Sequence, residues 1–207
     1  MDTIISAVGV YISTSIDYLL ILVILFAQFN NNKRNIQIYA GQYLGTAFLV
    51  SVSLFAAYVV KFVPEKWMIG LLGLIPIFIG IKFAILGENE EECESEEVRN
   101  KLKKNKSKNL IWTVLLMTVA AGGDNLGVYI PYFASLDWSR ILVVLLVFIV
   151  GIAVLCELSI RLSKIPMISE TIEKYERIIV PLVFIPLGIY IMHENGTIEI
   201  ILEMLGL

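Results

Sequence analysis

Two aspartates sit where a carboxylate is expensive. Asp124 lies in Ala120-Ala121-Gly122-Gly123-Asp124-Asn125-Leu126-Gly127, within an apolar run from Leu110 to about Ala134. Asp17 lies in Ile12-Ser13-Thr14-Ser15-Ile16-Asp17-Tyr18, within another. An ionisable side chain at the centre of a membrane-spanning helix costs roughly 2.5–3.5 kcal/mol to insert, so by default it marks a pathway or a site. Gly122 and Gly123 weaken the helix at the charge, and irregular backbone at that depth survives only against protein or a water-filled cavity. If the two acids approach each other, they repel in low dielectric, and the empty site holds at least one proton. A divalent cation would replace the protons and neutralise both charges. That is a physical basis for exchanging protons against a metal ion.

Other groups could complete such a site. Thr14, Ser15 and Asn125 supply oxygen ligands, and Thr14 lies one turn from Asp17 on the same helix face. The competing reading is a polar cluster that only holds helices together. Cys156 and Glu157 fall late in a further apolar run. A thiolate would favour a soft ion such as cadmium, zinc or copper(I) over magnesium or calcium. Cys156 is otherwise a small apolar filler, and Glu157 could simply pair with Arg161 one turn on. Cys93 lies among acids in a charged segment, where it either collects metal or is incidental. His193 is the only histidine and suits a surface role.

The elements that must position these groups are membrane helices. The 207 residues are 57% hydrophobic, with mean hydropathy +0.80, whereas a soluble domain is nearer about 45–50% apolar. Runs of about twenty apolar residues recur along the chain. They predict six spans, near Ile4–Phe29, Tyr39–Phe62, Met68–Leu86, Leu110–Ala134, Ile141–Leu162 and Ile178–Met192. The connection from Ser163 to Tyr175 reads as a short interfacial helix. The tail after Gly196 (Ile198, Ile201, Leu202, Leu205) reads as amphipathic and surface-lying. Met1-Asp2-Thr3 lacks the positive region of a signal peptide, so the first run is expected to remain as a helix.

The halves resemble each other. Asp17 in span one answers to Asp124 in span four, and Leu74–Ile81 in span three resembles Phe184–Ile191 in span six around Pro76 and Pro186. Three spans per half insert with opposite topology, the inverted-repeat plan that puts a site at the midplane. The expected fold is therefore an all-α polytopic membrane protein with six transmembrane helices in two inverted-topology repeats. The first repeat is residues 1–86, a charged loop follows over 87–109, and the second repeat is 110–207 with its amphipathic tail. Lysine and arginine concentrate after spans one, three and five, which predicts a cytoplasmic long loop and both termini outside.

The motifs that are absent narrow the function. No phosphate-binding loop or soluble nucleotide domain is present, which argues against ATP-driven transport by this chain. No C-x-x-C, H-E-x-x-H or G-x-S-x-G motif points to redox or hydrolytic chemistry, so the chain does not read as an enzyme and no cofactor is expected. Basic residues are few and scattered, which excludes nucleic acid as a partner.

At the level of motifs, the chain resembles the cadmium resistance transporter family of the CadD type, within the lysine-exporter superfamily. The residues that carry the resemblance are Tyr11–Leu19, Tyr39–Gly45, Val63–Trp67 with Gly70–Pro76, and Gly123–Phe133. The resemblance implies a multi-pass protein of the bacterial cell membrane that exports cadmium and, as a second ion, zinc. It carries Asp17, Asp124 and Asn125 over as pathway residues. Spans one and four bring no sulfur to a soft cation, which is why Cys156 and Glu157 stay on the ligand list. The expected partners are lipid, divalent metal ions and protons as counter-ions, with room for a homo-oligomer. Two rival functions remain open at this stage. One is an exporter of a small organic cation such as a basic amino acid. The other is a non-transporting scaffold or sensor acting through the long loop.

Overall fold

A computed structural model describes residues 2–29, 32–62, 66–86, 110–165 and 169–204, and every regular element among them is a helix. In chain order these are α1 (Asp2–Gln28), α2 (Asn32–Val60), α3 (Lys66–Leu71), α4 (Leu74–Leu86), α5 (Leu110–Ala121), α6 (Leu126–Ala134), α7 (Trp138–Leu162), α8 (Ser169–Glu194) and α9 (Thr197–Met204). The charged loop with Cys93 lies outside the described residues.

α2 and α7 are each long and apolar enough to cross a membrane. At a rise of about 1.5 Å per residue, their 29 and 25 residues exceed the roughly 30 Å hydrocarbon core. On α7 the exposed face is a stripe of Leu142, Leu146, Val150 and Val154, each at least 60% exposed. A continuous apolar stripe turned away from the protein core suits lipid.

Two further spans are bent. Thr3–Ile16 and Tyr18–Ala27 meet at 57°, and α5 and α6 meet at 75°. Counting each bent pair as one span gives four. The remaining two expected spans are shorter apolar helices, Trp67–Lys82 and Ile178–Glu194. The helix through α3 and α4 is interrupted at Leu72-Gly73, where the Gly73 N–H turns back to the Gly70 carbonyl at 2.9 Å. α8 begins at Ser169, so much of the polar connection expected as a separate interfacial helix forms its first turns. The tail is the eight-residue α9, docked on α3 and α8, with the Thr197 hydroxyl donating to the Trp67 carbonyl at 2.8 Å.

The packing joins the two halves. α1 lies along α7, α2 along α5 and α6, and α4 along α8. α1 and α7 run parallel: Ser6 bonds Tyr132 just ahead of α7, and further along Tyr11 packs on Phe148 and against Gly151. α2 and α5 also run parallel. Gly41 faces Val114, Gly45 faces Thr118, and Leu49 reaches Gly122. α4 and α8 are antiparallel, with Gly73 against Gly188 and Gly80 against Ile185. Gly73 and Gly188 approach so closely that a Cβ on either would strike the carbonyl oxygen of the other. Small residues permit such backbone contact where lipid supplies no hydrophobic drive between helices.

One rim of this bundle is tied by polar contacts. Lys61 Nζ donates to the Leu136 carbonyl at 2.6 Å, and Arg140 pairs with Glu194 at 3.1 Å. At the other rim Arg34 stacks 4.8 Å from the Phe29 ring centroid, and Arg161 pairs with Glu157 at 3.0 Å.

Candidate functional site

The site is built on the interruption between α5 and α6. The helical ladder of α5 ends with Gly122 N–H donating to the Thr118 carbonyl at 2.9 Å. It resumes with Gly127 N–H to the Asp124 carbonyl at 2.9 Å and Tyr129 N–H to the Asn125 carbonyl at 2.8 Å. Between these bonds the backbone has lost its regular partners. The Asp124 carboxylate supplies one, as Oδ1 accepts from the Asn125 N–H at 2.9 Å. A negative group at the start of α6 also suits the positive end of that helix. The rest of the Asp124 side chain is exposed, outside the packed core.

Asn125 points the other way. It is 2% exposed, and Nδ2 donates to the Thr14 carbonyl at 3.0 Å and to Tyr18 Oη at 2.8 Å. Thr14 Oγ1 and Tyr129 Oη lie 2.8 Å apart, closing the cluster from α6 back to α1. One buried amide therefore pins the bend to the turn of α1 that contains Asp17. With both Nδ2 protons engaged, only Oδ1 of Asn125 could serve a cation.

The two glycines play different parts. A Cβ on Gly122 would run into Tyr18 Oη and Leu49, so this position is set by close approach. A Cβ on Gly123 would meet nothing nearer than the Ala120 carbonyl oxygen at 3.6 Å. Neither has left-handed backbone; among the described glycines only Gly196 does, with φ 68°.

The structure thus brings together Thr14, Gly122, Asn125 and, beside them, Asp124. Ser15 is turned elsewhere. Its hydroxyl donates to the Ile12 carbonyl at 3.1 Å, and its side chain lines a groove between α1 and α7. Cys156 is fully buried on α7, and Glu157 is exposed in its pair with Arg161. Asp17 lies within α1, but its side chain lies outside the described residues. Among the described residues no three of His, Cys, Asp and Glu gather closely enough to hold a metal ion.

The family model for cadmium resistance transporters matches residues 11–204. The chain belongs to that family. The comparisons with curated proteins and with solved structures gave no match. In this cadmium resistance transporter the matched region takes in both aspartates and the whole cluster around Asn125. The family and the apolar helices together agree with a multi-pass membrane protein.

Sequence reasoning passed over several residues of this candidate site. Tyr18 and Tyr129 flank the two motifs, yet their hydroxyl contacts depend on how α1 meets α6. Gln42 is buried on α2 and accepts from Thr118 Oγ1 at 2.7 Å, forming a second polar contact between halves. Lys82 is the clearest omission. It is the only charged residue between 68 and 86, and a lone intramembrane charge is a signal readable from sequence. It is half-buried on α4, and its charge acts on the Asp124 carboxylate.

Proposed function

We propose that this transporter expels a divalent heavy-metal ion, cadmium first and zinc second, across the cell membrane in exchange for protons. The observation that carries the reading is Asp124: a carboxylate at a 75° break in an apolar helix, outside the packed core, with the neighbouring Asn125 clamped to α1. Broken helices near the midplane are where secondary transporters hold ions, because unwound backbone and helix ends offer dipoles and oxygen ligands there. Asp17 and Asp124 alternate between proton and metal, with Thr14 and Asn125 as further oxygen donors and Cys156 as the soft ligand.

The packing supports two inverted three-helix halves, 1–86 and 110–207, joined by the 87–109 loop. The first helix of each half lies parallel to the second helix of the other, and the two third helices lie antiparallel. A corresponding contact recurs on each side. Tyr11, six residues before Asp17, meets Gly151, and Thr118, six residues before Asp124, meets Gly45. Both termini then lie outside and the loop in the cytoplasm, in accord with the Lys and Arg distribution. A basic amino acid as cargo gains no support. The groove of about 610 Å³ between α1 and α7 has no acidic lining residue.

The test is uptake of cadmium, zinc and manganese into everted vesicles under an imposed proton gradient. Asp17→Asn and Asp124→Asn should each reduce proton-driven cadmium uptake to background at parent-like expression. Normal uptake by both variants would refute the site.

A further inference from the structure

A charge that reaches Asp124 is placed by helix register. A Cβ on Gly127 would touch Ile75 Cγ2 at 3.2 Å and Ile79 Cδ1 at 3.4 Å, so these α4 residues cover the first turn of α6. Lys82 is three residues beyond Ile79 and seven beyond Ile75, which puts it on the same face of α4. Asp124 is three residues before Gly127, on the α6 side of the same contact. Lys82 is the basic group whose charge reaches the Asp124 carboxylate, and it is half-buried. A lysine held in an otherwise apolar helix needs an opposite charge or water at its tip.

We propose that Lys82 is a built-in counter-cation for the cargo site, compensating Asp124 in the interval after its proton has left and displaced when the metal ion enters. This rests on reading Asp124 as a cargo carboxylate. The site then never presents a bare anion to the bilayer. Entry exchanges one positive charge for another, and the returning ammonium helps expel the ion. Monovalent ions compete poorly, because they bring no more charge than the lysine they displace.

Cadmium binding to the purified full-length protein in detergent, measured by calorimetry, tests this with four variants. Lys82→Met should bind cadmium more tightly, on the order of tenfold, because the internal competitor is gone. In vesicles it should release the ion more slowly. Lys82→Arg keeps the charge and should stay within a few-fold of the parent. Lys82→Gln repeats the test if the methionine variant does not fold, as judged by thermal unfolding. Unchanged or weaker binding in the folded neutral variants overturns the proposal, as does an arginine variant that behaves like the neutral ones. Asp124→Asn separates the two readings. If it binds cadmium like the parent, the cargo-site reading fails. If it weakens binding while neutral Lys82 variants leave affinity unchanged, only the counter-cation proposal fails.

Discussion

The α5–α6 break and the α4–α8 crossing hold helices together by opposite means. At the break, a buried amide, a threonine and two tyrosine hydroxyls form the contact, and a carboxylate stands exposed beside it. At the crossing, Gly73 and Gly188 bring backbone against backbone with no polar side chain in the contact. In lipid both solutions work, but they have different costs. Hydrogen bonds between membrane helices average only about 0.6 kcal/mol, so a polar cluster with an acid attached is a poor choice for stability alone. Glycine contact risks nothing polar and makes a compact fulcrum. On the function proposed above, the break keeps the chemistry, while the crossing fastens α4 to α8.

That contrast can be broken at each end. The largest loss should come from Gly188→Leu. Its side chain must displace the Gly73 carbonyl, which no rotamer change can relieve, as well as the Ile77 side chain. We expect about 3 kcal/mol or more of destabilisation, read as loss of folded protein by thermal unfolding in detergent. Gly122→Ala comes next. The new methyl must push aside Tyr18 and Leu49, at a cost of about 1–3 kcal/mol, and metal uptake should fall with it because the Asn125 clamp shifts. Asn125→Ala should cost less stability, up to about 1.7 kcal/mol, yet reduce uptake more than its stability loss explains. A parent-like transport rate in a folded Asn125→Ala protein would place the function elsewhere. Gly123→Ala should be neutral or slightly stabilising, by up to about 1 kcal/mol, since there is room for the methyl. The smallest effect should come from Glu157→Ala. It removes an exposed helix pair worth about 0.3–0.5 kcal/mol and should leave cadmium transport unchanged. A large transport defect there would place Glu157 in the ligand set.

Much of this was legible beforehand, for physical reasons that differ by element. α2 and α7 were readable because length and apolarity alone define a helix that crosses lipid. The bend was readable from Gly122-Gly123-Asp124, since a charge and two weak helix formers coincide. The membrane passage of the third and sixth runs was less secure. The third run is broken at Leu72-Gly73, and α8 takes in part of the polar connection, and neither outcome is written in apolarity alone. The Asn125 cluster was half visible: the amide was singled out as a ligand, but its grip on Thr14 and Tyr18 arises only when α1 and α6 meet. Ser15 adjoins Thr14 in sequence yet faces the α7 side, because one residue along a helix turns a side chain through about 100°. Lys82 needed no structure at all, only the observation that it stands alone in an apolar run.

The lacing of the halves has a consequence for how the protein is made. α1 finds its main neighbour in α7, and α5 finds its own in α2, so the helices before residue 87 leave contact faces uncovered until those after residue 109 arrive. A chain severed within 87–109 should therefore accumulate only when both fragments are synthesised in the same cell. During synthesis α1 and α2 therefore emerge before α7 and α5, the helices that cover them.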